Sequence, residues 1–247
     1  MAELLGLAGL NPRVVEALDP YCQEMISLHG GNLKSIVLYG SATGADFVAR
    51  RSNINLMIIL TQVTRAALKK SLKTVAKGRK KGIVAPLLLD EEHIRRSADV
   101  FPIEFLDIQE NHVALFGEDP FARLEIDRGN VRLQCEHELK GKLIHVRQGY
   151  LERGLLRKDI TALLVESLTS FIPVFRNMLR LKGQELPRRR LEVIERTAQV
   201  FGVSSSPFLK VLRLKEGMKP PNAKTVDDIF ADFLTQLDKL AIAIDEL

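Results

Sequence analysis

Gly40-Ser41-Ala42-Thr43-Gly44 and, after a short spacer, Ser52-Asn53-Ile54-Asn55-Leu56 are the stretches on which the fold turns. The first follows Ser35-Ile36-Val37-Leu38-Tyr39, a short apolar run rich in β-formers, and the second opens another, Asn53 to Leu60; both read as interior strands. Gly40 lets the backbone approach a phosphate closely, Ser41 adds a hydroxyl donor, and a helical turn after it would aim free N–H groups at an anion. Asn53 and Asn55 are two apart on a strand, so their side chains leave the same face and can converge on one point. Strand, Gly-Ser turn, loop and polar-paired strand together can give a phosphate and its metal ions one shared site.

Upstream, Asn11-Pro12 and Asp19-Pro20 each place a capping residue before a proline suited to the first helical position, which predicts two short helices over about 12–18 and 20–29, closed by Gly30-Gly31. Downstream, apolar spacing predicts a helix over 64–77, a strand over 83–89 and a helix over 91–98. Ile103 to Ile108 alternates enough to predict a half-buried strand, and His112 to Phe116 a further short one. From about Leu133 strand-like runs vanish, and helices are expected near 133–154, 158–182, 187–201, 206–215 and 225–245, with Pro173 kinking the second. Thr225-x-x-Asp228 looks like a capping box opening the last. The expected organisation is an α/β (α+β) domain with a mixed sheet over residues 1–128 and an all-α helical bundle over 129–247.

The composition, 46% hydrophobic and 27% charged over 247 residues, is that of a globular protein with a full core. No apolar run approaches the roughly 20 residues that span a bilayer, and the start lacks a signal-peptide layout, so a cytoplasmic protein without a membrane partner is expected. Cys22 and Cys135, without metal-ligand spacing, read as buried small hydrophobes. Between Thr61 and Leu89 there is no acidic residue, while Arg65, Lys69, Lys70, Lys73, Lys77, Arg79, Lys80 and Lys81 are all basic. That segment is either a solvated helix face or a surface for phosphates or nucleic acid.

At the Gly-Ser turn and the asparagine pair the chain resembles the polymerase-beta-like nucleotidyltransferase superfamily, including kanamycin-type and minimal nucleotidyltransferases. The family pattern is Gly-Ser-x-Ala-x-Gly, a spacer, then Ser-Asp-x-Asp and an apolar residue; the likeness covers roughly residues 30 to 110. It implies nucleotide contacts from Gly40, Ser41 and Gly44, with Mg²⁺ held on the triphosphate by residues at positions 53 and 55. It also implies a third carboxylate on a later strand, for which Glu104 is the sequence candidate. A helical substrate or partner domain after the α/β part agrees with the same family.

The departure from that pattern decides the expected activity. Positions 53 and 55 carry asparagine where the chemistry uses aspartate. A two-metal site pools negative charge so that hard cations bind beside the triphosphate, and each lost charge about 4 Å from the ion forfeits roughly 4 kcal/mol at an effective dielectric near 20. Asp46, in the loop after Gly44, reads either as a solvated turn residue or as the source of one replacement charge. The expectation is a nucleotide- or partner-binding protein with transfer weak or lost. Two alternatives stand beside it: an active Mg²⁺-dependent enzyme that moves a nucleoside monophosphate from ATP to a small-molecule hydroxyl, with Asn53, Asn55, Glu104 and Asp46 as ligands, or a nucleic-acid-binding protein that uses the Arg65 to Lys81 segment.

Overall fold

The computed structural model describes residues 2–44, 52–187 and 189–247. They fall into two compact units, Met1–Ile126 and Asp127–Leu247.

The first unit is built on a four-stranded mixed sheet. Helix α1, Pro12–His29, precedes strand β1, Leu33–Tyr39; β2 is Asn55–Leu60, helix α2 Arg65–Arg79, β3 Leu87–Leu89, α3 Glu91–Ser97, α4 Pro102–Glu110 and β4 His112–Gly117. The strand order is β3-β2-β1-β4, antiparallel except where β3 runs parallel to β2. Strands β1 and β2 are apolar at nearly every position because the sheet is covered on both faces. On one face α1 and α2 bury Ile36, Leu38, Leu56, Ile58 and Leu60; on the other, Val37, Met57 and Ile59 meet Ile94, Phe105, Ile108 and Phe121.

Three sequence expectations are corrected here. Residues 12–29 form a single helix, since Asn11 caps it through Arg13 N at 3.0 Å and Pro20 lies inside it. An interior proline costs on the order of 3 kcal/mol. The continuous buried stripe Val14, Ala17, Leu18, Tyr21, Cys22 and Met25 offsets that cost. Ile103 to Ile108 is not a strand but part of α4: Pro102 takes the first turn, and Phe105 and Ile108, three apart, bury together. The strand expected over 83–89 shortens to Leu87–Leu89, with Ile83 making an isolated bridge to Ile54.

Strand β4 joins β1 with a register shift between Ile36 and Val37. Gly117 ends it at φ +74°, and a Cβ there would lie 1.9 Å from the Lys34 carbonyl oxygen. Gly117→Ala is expected to destabilise the chain by more than about 1 kcal/mol in urea titration; a loss within error would mean that the β1 and β4 backbones are not held this close.

The second unit is all helical: α5 Arg128–Arg153, α6 Arg157–Leu181, α7 Arg190–Phe201, α8 Ser206–Lys215 and α9 Ala223–Asp245. Helix α6 is its spine, burying Leu164, Leu168, Phe171, Phe175 and Met178, with Phe171, Phe175, Phe208 and Phe233 in ring contact. By length and composition alone α6 could cross a membrane, but 61% of its most apolar window is buried within the structure, as befits a core helix. It continues through Pro173 to Leu181, with the Asn177 amide donating to the Pro173 carbonyl at 2.9 Å. The cap of α9 is Asn222, which accepts from Thr225 N at 2.9 Å, rather than the capping box expected at Thr225.

Candidate nucleotide site

The first strand stops at Gly40, and the chain turns through a 3₁₀ turn, Gly40–Thr43, before an extended Gly44. Gly40 has φ +77°, a conformation that favours glycine, and a Cβ there would lie 3.2 Å from Asn55 Nδ2. Strand pairing explains the proximity, because Asn55 is the register partner of Tyr39. The turn holds itself together: Thr43 Oγ1 donates to the Gly40 carbonyl at 2.8 Å, and Gly40 N–H donates to the Asn111 carbonyl at 3.1 Å. Ser41 and Gly44 are exposed, while Ala42 anchors the turn in the core.

The register also carries the site across the sheet. Tyr39 pairs with Asn55 on β2 and with His112 on β4, so these three side chains form a row on one face. Burial raises the Tyr39 phenol above its ordinary value. His112 is fixed by two acceptors, the Asp119 carboxylate 3.0 Å from Nε2 and the Gln109 carbonyl 3.0 Å from Nδ1, and its ring meets Phe121 edge-on. No ligand spacing in the sequence marks His112. Only the strand register brings it into line with Asn55.

The other sequence candidates are more scattered. Asn53 is exposed and precedes β2, beside Ile54. Glu104 is exposed on α4, whose buried side covers the same sheet face as Asn55; it stands on a helix, not on the strand that the sequence suggested. Asp46 lies outside the described residues. His29 sits elsewhere, buried with Nε2 2.9 Å from Ser71 Oγ, and burial, with Lys70 nearby, lowers its pKa. Both cysteines are buried, and burial pushes each thiol up to about 12, which makes them inert packing groups.

Strand composition sets the charge of the site. Leu-Lys-Ser-Ile-Val-Leu-Tyr, Asn-Leu-Met-Ile-Ile-Leu, Leu-Leu-Leu and His-Val-Ala-Leu-Phe-Gly contain no aspartate or glutamate on any of the four strands. Asp90 follows β3 directly, but its carboxylate caps α3 by accepting from His93 N at 2.7 Å.

With this geometry in view, comparison with solved structures finds spectinomycin adenyltransferase AAD(9) from Enterococcus faecialis, in a crystal structure with ATP and spectinomycin. The match has a TM-score of 0.51 at 11% identity, covering 91% of this chain and 99% of that one. This is the nucleotidyltransferase fold. No protein-family profile and no curated protein sequence matches the chain. The nucleotidyltransferase fold accounts for both halves of the molecule, an α/β unit with a mixed sheet followed by helices. The Mg²⁺ that the sequence resemblance implies does not fit the described residues. No group of three or more His, Cys, Asp or Glu is gathered among them in a way that could hold a metal ion, and Asn53 and Asn55 offer only neutral carbonyls.

Proposed function

We propose that this chain is a nucleotide-binding or partner-binding protein on a nucleotidyltransferase fold, with nucleotidyl transfer weak or lost. The absence of any carboxylate from the four strands carries the reading. Transfer by paired metal ions needs negative charge at the reacting phosphate before the ions arrive, and the sheet that would supply it offers amides and leucines. What favours binding is the turn: Gly40 in its glycine-dependent conformation against Asn55, with Ser41 exposed beside it. In this reading Gly40, Ser41 and Gly44 meet the phosphates, and Asn53 and Asn55 donate their amide N–H groups to phosphate oxygens. An amide N–H, unlike a carboxylate, can donate to the anion itself. ATP, named in the neighbouring structure, is the ligand to try first.

Calorimetry with ATP, in the presence and absence of Mg²⁺, tests this. The expected result is binding whose affinity changes by less than about threefold on adding the metal, well under 1 kcal/mol. An increase above about tenfold, with Mg²⁺-dependent release of pyrophosphate, would establish the active enzyme instead, with Asn53, Asn55, Glu104 and Asp46 as its ligand set. Absence of ATP binding in either condition would leave partner binding as the function of the fold.

A further inference from the structure

The positive charge of this chain is segregated rather than spread. Eight cations between Arg65 and Lys81 outnumber the net charge of +5, so the remainder of the chain is net acidic. All eight are exposed along α2 and the turn after it. Only Lys77 has a carboxylate partner, Glu24 at 2.9 Å; Arg65, Lys69, Lys70, Lys73, Arg79, Lys80 and Lys81 have none among the described residues. Helix α5 shows the ordinary alternative, since Arg132, Lys140, Lys142, Arg147 and Arg153 each sit against an Asp or Glu. Unpaired like charges on neighbouring turns repel. The helix dipole favours Lys77, Arg79 and Lys80 at its C-terminal end, but helix stability does not account for Arg65, Lys69, Lys70 and Lys73, and a polyanion would.

The distribution around the helix selects the kind of polyanion. Ala67, Ser71, Thr74 and Gly78 take the buried side. At 3.6 residues per turn Lys70 and Lys77 flank that side toward α1, Arg79 flanks it on the other, and Arg65, Lys69, Lys73 and Lys80 run along the back. The cations thus cover about half the circumference over about 22 Å of helix from Arg65 to Lys80. A flat lipid surface meets one line of such a cylinder. A duplex groove, wide enough in B-form DNA to admit a helix, presents phosphates on both walls. The outermost line is held by Arg65, Lys69 and Lys80, and Leu68 and Leu72, 46% and 63% exposed, lie to one side of it, whereas a bilayer would need apolar groups on that line.

We propose that the exposed side of α2 is a sequence-independent surface for duplex DNA, held by phosphate contacts from Arg65, Lys69, Lys73 and Lys80. It is separate from the Gly40 turn and does not depend on nucleotide binding there.

The test is fluorescence anisotropy of the full chain with a labelled duplex of about 20 base pairs. If these four contacts each neutralise one phosphate, affinity falls roughly 150-fold between about 50 and 200 mM salt. Replacing Lys69, Lys73 and Lys80 together by glutamate is expected to lower affinity at the lower salt by at least about tenfold and to flatten the salt slope by about 3. A matched control, glutamate at the exposed Lys158, Lys219 and Lys239 of the helical unit, makes the same change in net charge and should cost less than about threefold. No binding at low salt overturns the proposal, as does a control that loses as much as the α2 variant. Sedimentation with phosphatidylserine vesicles, without duplex binding, would also overturn it and assign the surface to membranes.

Discussion

Replacing Asn53 and Asn55 together by aspartate is expected to raise Mg²⁺-dependent ATP affinity at least about tenfold, or about 1.4 kcal/mol. Each introduced charge, about 4 Å from a bound ion, is worth roughly 4 kcal/mol at an effective dielectric near 20, so the gain survives loss of most of it to solvent. Asn55 stands against Gly40 and is only partly buried, and Asn53 is exposed, so both positions can take a solvated carboxylate. Without metal the two charges repel, and at least one of the introduced carboxyls should titrate above its ordinary range. The folded pKa then exceeds the unfolded one, so the double variant loses stability as pH rises through the carboxylate range, and Mg²⁺ restores it. Calorimetry with and without metal reads the affinity, and circular dichroism confirms that the variant is folded. No metal-linked gain in a folded variant would show that the turn has lost its nucleotide geometry along with its charges.

The second large effect is expected at Phe121. Its ring is fully buried beneath the sheet face that carries Asn55, within the cluster of Val37, Met57, Ile59 and Phe105, and His112 meets it at a centroid distance of 5.2 Å. Phe121→Ala should cost about 3–5 kcal/mol, from lost transfer energy plus the cavity left behind. Phe121→Leu refills most of that volume and should lose clearly less. Urea unfolding followed by circular dichroism measures both. Equal costs for the two would mean that ring shape, and not filled volume, fixes the 118–126 segment against the sheet.

The two predictions draw on parts of the chain that differed in how far their sequence could be read. Strands β1 and β2 and the turn between them were legible because an apolar run ending in Gly-Ser, followed by polar residues two apart, has few other structural meanings. The long helices of the second unit were legible because α6 and α9 carry sustained apolar periodicity. Ile103 to Ile108 was not, since six residues of mixed polarity fit a strand face or two helical turns equally well, and packing of Phe105 and Ile108 decided for the helix. Pro20 misled for a related reason: local chemistry argued for a break, and burial on both sides of it overrode that preference. His112 was invisible as a neighbour of Tyr39, because cross-strand register between β1 and β4 depends on a bulge that no local pattern specifies.

The carboxylate-free sheet has a further consequence for how the protein persists in a cell. A site that collects acids for a metal holds like charges together whenever the ion is absent, and its empty form carries that frustration as lost stability. Such a protein is coupled to the supply of its ion, steadied when the ion is plentiful and eroded when it is scarce. Strands made of leucine, isoleucine and asparagine carry no such debt. Unfolding of this chain is therefore expected to come at the same temperature in a chelator as in millimolar magnesium.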